Sequence, residues 1–353
     1  MSEGAGFWKT IGGVIGGVAA IVTTIKVVIE IWDRFAAKRE SNSAASSSGE
    51  SSQSSNATAP RRNADDWSGV YAAGTRRTLK AKGVEFPFRY CPAGTFWMGS
   101  PSYEAERSDD ETQHEVTLTR GFWMLETPVT VDMWRSFAKA TGYRMGGGYY
   151  GEGGWGFNAS NEYVQSLSFT WENPGFPNGF RQTDDHPVTQ IDWADAVTFC
   201  DWLAKETRMP IRLPTEAQWE YACRAGTMTP YFWGSTLNGD KANCDGILPY
   251  GTMVEGKFLA RTTEVGSYYA NPWGLYDMHG NVGEWCADWY DNYSVVSQFD
   301  PTGPEKGMER ILRGGGWGDF AEVCRSAKRS HDKPTCRFHD CGFRLAIDQQ
   351  CEE

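Results

Sequence analysis

Residues 192–226 read DWADAVTFCDWLAKETRMPIRLPTEAQWEYACRAG, and this stretch contains two amphipathic helix patterns. In its first half, apolar residues recur at the 3.6-residue spacing of one helix face, and Asp192 stands where an N-cap is expected. The apolar positions are Trp193, Ala196, Val197, Cys200, Leu203 and Ala204. In its second half, Thr215 and Gln218 have capping-box spacing, and Gly226 stands where a helix would stop. The stretch predicts two helices.

Outward from these helices, the sequence predicts one further helix and many short strands. The segment TVDMWRSFAKATG at 130–142 has a helical pattern, whereas HEVTLTRGFWM at 114–124 and FRLAI at 343–347 are typical of strands. Because the elements do not alternate as βαβ units, they indicate an α+β fold. The chain has 40 Gly beside 16 Trp, 15 Tyr and 18 Phe, which indicates a compact domain with little regular secondary structure.

The charge of the chain argues against one class of partner. The 34 Lys and Arg against 45 Asp and Glu give a formal net charge of −11. Binding to nucleic acid needs a clustered cationic face that neutralises phosphates, so we expect no nucleic acid partner. The nine cysteines are odd in number and mostly far apart, unlike those of a small disulfide-rich secreted scaffold. This pattern favours a reducing compartment, and we expect a cytoplasmic location.

Residues 1–39 are apolar and rich in glycine. Their uncharged run at 10–25 has 16 residues, fewer than the roughly 20 that span a hydrocarbon core. Lys26 interrupts the run before apolar character resumes. Two overlapping Gly-x-x-x-Gly spacings would let helices approach closely. We expect a helix that associates with a membrane or with itself through residues 10–32, and a buried or partner-docking helix is the alternative.

Residues 40–66 differ sharply in composition from what precedes and follows them. The run ESNSAASSSGESSQSSNATAP at 40–60 has no aromatic residue and no apolar residue larger than alanine. Such a segment cannot bury enough apolar surface to offset the entropy lost on ordering. We predict a flexible Ser-rich linker at 40–66 and one globular domain at 67–353.

Several phrases together resemble one known family. Besides the two helices of 192–226, they are FRYCPAGTFWMGS at 88–100, ETPVTVDMWRSFAKATG at 126–142, NPWGLYDMHGNVGEWCADWY at 271–290, ILRGGGW at 311–317 and CGFRLAI at 341–347. In this order they resemble the sulfatase-modifying-factor family, that of the formylglycine-generating enzymes, over about residues 85–348. The resemblance implies a single domain with a C-type-lectin-like core. The family contains oxidases, other oxygen-using enzymes and binding modules, so the fold alone does not give the function.

The glycine turn of this family bears on catalysis. The resemblance implies that, in the oxidases, two cysteines with four residues between them follow the turn and bind copper, since soft thiolates select Cu(I). Here the turn is 314–317, and Asp319 stands where the first cysteine belongs. A single thiolate, Cys324, cannot supply a paired site, so we expect no copper. The alternative is an oxidase that uses Cys324 as its catalytic residue together with Cys336 or Cys341.

Two other metal sites need consideration. One is a group of cysteines and histidines, namely His331, Cys336, His339 and Cys341. Both ligand types suit zinc, but the spacing matches no standard zinc pattern, so we expect ordinary loop residues. The other is implied by the resemblance, which places a calcium-type site in GNVGEW at 280–285. Asn281, Val282 and Glu284 would supply the hard oxygen ligands that a structural Ca²⁺ prefers.

The segment 318–341 combines short side chains of mixed chemistry. The candidate ligand-binding residues in it are Asp319, Phe320, Ser330, His331, Asp332, Arg337, Phe338, His339 and Asp340, and Cys336 lies among them. The segment resembles the variable region of diversity-generating retroelement proteins, which display diversified residues on a fixed C-type-lectin-like scaffold. Loops on a rigid scaffold often carry recognition, so we expect a protein or glycan ligand here. Solvated loop residues without a ligand are the alternative, and Trp317 is expected in the core.

These observations predict a ligand-binding protein that displays a variable C-terminal loop on a formylglycine-generating-enzyme-like scaffold. A copper- or oxygen-dependent oxidase of the formylglycine-generating type is the alternative, and a purely structural module is a third possibility. The sequence has no G-x-S-x-G elbow and no Gly-rich phosphate loop. His279, within YDMHGNVGEW, is expected to be a structural hydrogen-bonding residue.

Overall fold

The structure is a computed structural model that describes residues 67–145 and 153–349. The predicted helix at 1–39 and the predicted linker at 40–66 lie outside the described residues, so both stay predictions. In the part of the chain that is described, no helix combines the length and hydropathy needed to cross a bilayer.

Within these ranges the chain forms three α-helices, and all three lie where the sequence predicts them. They are α1 (Val131–Thr141), α2 (Trp193–Thr207) and α3 (Glu216–Arg224). Thr130, Asp192 and Thr215 are the N-caps, and each side chain accepts a hydrogen bond from a backbone N–H three residues later. Helix α3 ends at Arg224, two residues before the expected Gly226, because Ala225 already adopts the left-handed conformation, with φ of 45°.

The same ranges contain fourteen short strands. They are β1 (Arg76–Ala81), β2 (Val84–Cys91), β3 (Gly94–Met98), β4 (His114–Leu118), β5 (Phe122–Leu125), β6 (Gly154–Phe157), β7 (Tyr163–Ser166), β8 (Ile211–Arg212), β9 (Gly283–Trp289), β10 (Gln298–Phe299), β11 (Arg310–Arg313), β12 (Ser330–Asp332), β13 (Cys341–Phe343) and β14 (Ala346–Asp348). The segment predicted as a strand at 114–124 forms two strands, β4 and β5. The segment predicted at 343–347 includes the end of β13 and the start of β14. Few helices and many short strands agree with the predicted α+β class.

The strands assemble into four sheets whose pairings are mostly antiparallel. The largest has the order β1-β2-β5-β14-β8, so the last strand of the described chain lies inside it, between β5 and β8. A second sheet has the order β12-β11-β9-β13, in which β9 and β13 are parallel. Strands β10, β4 and β3 form the third sheet, and β6 and β7 form a hairpin. The segment 318–341, which the sequence singles out for binding, contributes β12 and the first residue of β13 to the second sheet, and its Arg337 carbonyl accepts a hydrogen bond from Trp155 of the hairpin.

The main core fills the space between the five-stranded sheet and helices α1 and α2. Trp134 of α1 stacks on Phe199 of α2 with ring centroids 5.6 Å apart, and both rings also contact Phe343. A second cluster surrounds Trp219 of α3, and a third surrounds Tyr231. Through these aromatic contacts, a domain built from short strands buries a large apolar surface.

Four buried arginines attach the C-terminal quarter of the chain to this scaffold. Arg313 pairs with Glu220, Arg325 with Glu104 and Glu111, Arg329 with Glu216, and Arg344 with Glu284. All four guanidinium groups lie in side chains that are at most 4% exposed. A charge buried this deeply needs an opposite charge beside it, so these pairs fix the path of the backbone between them.

Candidate functional site

The glycine turn at 314–317 holds two carboxyl groups close together. The Oδ2 atom of Asp319 accepts a 2.8 Å hydrogen bond from the backbone N–H of Gly316. A Cβ atom added at Gly316 would lie 2.7 Å from the backbone oxygen of Asp340 and 2.8 Å from its Cβ atom. Only a glycine at position 316 leaves room for Asp340 at this distance. Asp319 and Asp340 are therefore both held against Gly316.

This arrangement changes how Asp319 ionises. Burial and then the negative charge of Asp340 raise the pKa of the Asp319 carboxyl to about 6, although the hydrogen bond from Gly316 and the groups of His339 and Lys328 act in the opposite direction. Each carboxyl disfavours a second negative charge beside it. A cationic group brought here by a ligand would therefore favour the fully ionised pair.

An aromatic cluster adjoins the two carboxyl groups. The ring of His339 lies 4.7 Å from Trp317, 5.3 Å from Tyr163 and 5.4 Å from Phe157. Tyr163 and Phe157 come from the β6–β7 hairpin, which the backbone N–H of Trp155 joins to the Arg337 carbonyl at 2.9 Å. Burial, followed by the charge of Asp340, raises the pKa of the Tyr163 hydroxyl. No pattern in the sequence indicated that this hairpin contributes to the site.

Two of the predicted ligand-binding residues are buried. Arg337 is 4% exposed, and its guanidinium contacts Asp192 at 2.7 Å and Asp195 at 3.0 Å at the start of α2. His339 is 5% exposed and packs against Trp317. Neither side chain is placed to face a ligand, so their role is to position the loop. Trp317, expected in the core, is 2% exposed.

Strand β12 divides its three predicted residues between two faces, because side chains alternate along a strand. His331 lies 3.8 Å from the Tyr290 ring, and its Nδ1 atom is 2.7 Å from a carboxylate oxygen of Glu309. Asp332 accepts a 3.1 Å hydrogen bond from Cys336. Ser330, also on this edge strand, is partly exposed. The partly exposed residues that remain near the glycine turn are Asp319, Phe338 and Asp340, with the exposed Phe320 beside them.

The predicted calcium ligands do not fit an ion in this arrangement. The oxygens of Glu284 accept hydrogen bonds from Nε and Nη2 of Arg344, each at 2.6 Å, and from Trp219 at 2.7 Å. The Oδ1 atom of Asn281 accepts hydrogen bonds from Asn243 at 3.1 Å and from the backbone of Thr263 at 2.9 Å. Val282 then offers only its carbonyl oxygen, too few ligands for Ca²⁺, which takes six to eight. Bonding of Glu284 to a buried guanidinium is the physical reason for this misfit.

The cysteine and histidine group considered for zinc is also not brought together. Among the described residues, no group of three or more His, Cys, Asp or Glu side chains is arranged to hold a metal ion. His331 faces Tyr290, whereas His339 faces Trp317. The Sγ atom of Cys336 donates to Asp332, and that of Cys341 donates to Asp340.

Cys324 lies against Gly315 of the glycine turn, in an apolar cluster with Cys244. Both thiols are at most 1% exposed. A hydrogen bond between the two thiols, together with burial, raises the pKa of Cys324 well above its usual range. The structure therefore places Cys324 beside Cys244 and not beside Cys336 or Cys341, and the sequence carried no signal for this pair.

His279 makes hydrogen bonds to the backbone beside this cluster. Its Nε2 atom accepts a hydrogen bond from the backbone N–H of Phe232 at 3.3 Å, so Nδ1 carries the proton that it donates to the Cys324 carbonyl at 2.7 Å. Burial lowers the pKa of His279 to about 4. A neutral ring with both nitrogens engaged is a structural group, as the sequence led us to expect.

Comparison with known proteins places these features in context. A family model described as a sulfatase-modifying factor enzyme 1-like domain matches residues 88–349. The formylglycine-generating enzyme of Mus musculus is 30% identical over 287 residues, which cover 73% of this chain and 74% of that protein.

Two solved structures resemble the fold. PvdO from Pseudomonas aeruginosa has a TM-score of 0.63 at 27% identity, covering 79% of this chain and 100% of its own. Treponema denticola variable protein 1 has a TM-score of 0.56 at 23% identity, covering 77% of this chain and 99% of its own. The likeness to the variable protein, at this identity, concerns the fold alone.

Proposed function

The chain belongs to the family of sulfatase-modifying factor enzyme 1-like domains, and from this premise we propose that it is a ligand-binding member of the family. Its C-terminal loop surface, centred on Asp319, Phe320, Phe338 and Asp340, binds a protein or glycan ligand. The finer part of the proposal is that this loop is the variable region of a diversity-generating retroelement protein.

One observation carries the proposal: Asp319, with Asp340 beside it, stands at the turn where the first of two paired thiolates would be needed. Asp319 and Asp340 offer hard oxygen atoms, which do not select the soft Cu(I) ion. Cys324 packs against Gly315 of the same turn, but its thiol is fully buried and pairs with Cys244. The pair of cysteines that the resemblance places after this turn is therefore incomplete, because position 319 supplies a carboxyl oxygen and not a thiolate.

The way the loop is held supports binding. Arg325 and Arg337 attach it to the scaffold through buried ion pairs, so the proposed binding residues that precede Arg325 and follow Arg337 sit on a fixed backbone. A preorganised surface loses less conformational entropy when it binds. Phe320 is 45% exposed, and an exposed aromatic residue beside acidic groups is a suitable anchor for a ligand.

The ligand-binding proposal predicts a large effect of Phe320. We expect the full chain, probed against arrays of purified proteins and glycans, to bind at least one ligand, and Phe320→Ala to weaken that binding by about tenfold or more. Phe299→Ala is the matched control, because Phe299 is 71% exposed and lies on β10, outside the loop. Binding that survives Phe320→Ala and Asp340→Asn unchanged would contradict the proposal.

Diversification of the loop has its own test. A neighbouring reverse transcriptase gene, with a near-copy of the 3′ coding region that carries adenines at the codons of the loop residues, would support it. If both are missing from the genome, the chain is a binding module of fixed sequence.

The second candidate function is an oxidase of the formylglycine-generating type. The 30% identity to the Mus musculus enzyme and the buried thiol pair of Cys244 and Cys324 favour it. We expect purified protein to bind no stoichiometric Cu(I) and to convert no cysteine-containing peptide. One bound Cu(I), with turnover lost in Cys324→Ala and retained in Cys200→Ala, would instead establish the oxidase. Cys200 is a suitable control because it is also buried but lies in the main core.

A further inference from the structure

A groove with a volume of about 620 Å³ runs beside Phe320. Its apolar surface comes from Leu248, Tyr250, Met253 and Phe320, and Glu106 and Glu322 also line it. The groove thus joins one residue of the proposed binding loop to a segment, 248–253, that the sequence did not single out.

The exposure of the groove residues is unusual for apolar side chains. Met253 is 96% exposed, Leu248 50% and Phe320 45%, and the adjoining Ile247 and Val254 extend the same patch. Contiguous exposed apolar surface on a soluble domain marks a site of interaction more often than scattered single residues do.

The walls of the groove are held in place by the scaffold. The Tyr250 hydroxyl donates to the Ala105 carbonyl at 2.9 Å, and Arg325 donates to the Glu106 carbonyl at 2.9 Å. The backbone of Tyr250 also exchanges two hydrogen bonds with Leu237, at 3.0 and 2.8 Å. Because Tyr250 and Arg325 tie both sides to buried groups, the groove exists before any partner arrives.

The charge of the groove selects among partners. Glu106 and Glu322 line it, and none of the described residues along it is Lys, Arg or His. Asp245 and Asp319, whose backbones pair at 2.8 Å, lie next to Phe320. An apolar floor with an acidic rim complements a segment that has apolar and basic side chains.

We propose that this groove is a docking site for a protein segment in which a large apolar side chain is flanked by lysine or arginine. The apolar side chain packs between Met253, Leu248 and Phe320, and the basic groups meet Glu106 and Glu322. This inference rests on the proposed ligand-binding function, because Phe320 belongs to both surfaces, and it names the class of partner.

The test uses a random 12-residue peptide library displayed on phage and selected on the immobilised full chain. Enriched peptides should combine a large apolar residue with a net positive charge. Synthetic versions should bind at least tenfold more weakly to Met253→Ser and to Glu322→Lys, and binding should weaken as salt rises. Met308→Ser is the matched control, since Met308 is 84% exposed and does not line the groove; the variants should melt at the temperature of the parent.

Other results would overturn the inference. These are selection without enrichment, enrichment of acidic or uncharged peptides, or enriched peptides that bind Met253→Ser and Glu322→Lys as tightly as the parent. If array ligands depend on Phe320 but not on Met253 or Glu322, the groove proposal fails and the ligand-binding function stands. If array ligands depend on none of the three, both fail.

Discussion

Replacing Arg325 by methionine is expected to lower the free energy of unfolding by about 3–5 kcal/mol, the usual cost of removing one partner of a buried ion pair. Arg325 is fully buried and donates to Glu104 at 2.6 Å and to Glu111 at 2.7 and 2.9 Å. Methionine keeps much of the apolar stem but leaves two buried carboxylates without their guanidinium. Denaturation in urea, followed by tryptophan fluorescence, measures the loss.

The control for this prediction is an ion pair at the surface. Lys82 and Glu206 lie 2.9 Å apart with side chains 47% and 32% exposed. Exposed pairs contribute about 1 kcal/mol or less, so Lys82→Met should remain within that range. Equal losses in Arg325→Met and Lys82→Met would show that burial does not set the strength of the Arg325 contacts.

A second large effect is expected from Asp288, and it depends on pH. Burial, together with the charge of Glu216, raises the pKa of the Asp288 carboxyl to about 7. The same carboxyl in the unfolded chain ionises near its ordinary value of 3.8. Between these two values the folded protein holds a proton that the unfolded chain has lost, so this group lowers stability as pH rises from about 4 to 7.

Asp288→Asn should remove this pH dependence. The asparagine cannot ionise and keeps an oxygen for the Glu216 N–H, which donates to Asp288 at 2.9 Å. One pKa unit corresponds to about 1.4 kcal/mol, so the variant should gain on the order of 4 kcal/mol relative to the parent between pH 4 and neutrality. Urea denaturation over this pH range tests the prediction, with exposed Asp291→Asn as control. Parallel profiles for parent and Asp288→Asn would reject it.

The features that were read correctly from the sequence depend on local interactions. The caps at Asp192 and Thr215 act within one turn of their own helices, so α2 and α3 are where the sequence placed them. The strand runs were identified by composition, but their ends depend on partners far along the chain. Strand β14, for example, pairs with both β5 and β8.

The candidate site was predicted less well, because burial there depends on contacts between distant residues. Arg337 looked like a surface cation in its own segment, but Asp192 and Asp195 lie more than 140 residues before it. Glu284 looked like a calcium ligand until Arg344 was placed beside it. Cys244 gave no signal, since nothing in its neighbourhood in sequence indicates that Cys324 packs against it.

The buried arginines on both sides of the C-terminal loop have an evolutionary consequence. Arg329 and Arg344 hold the flanks of residues 330–343 through Glu216 and Glu284, so the energy that attaches the loop is concentrated outside its exposed positions. New side chains can be tried at those exposed positions with little risk to folding, whereas Arg337 should tolerate few replacements. A lineage under pressure to recognise new targets could therefore explore this face while the protein stays intact.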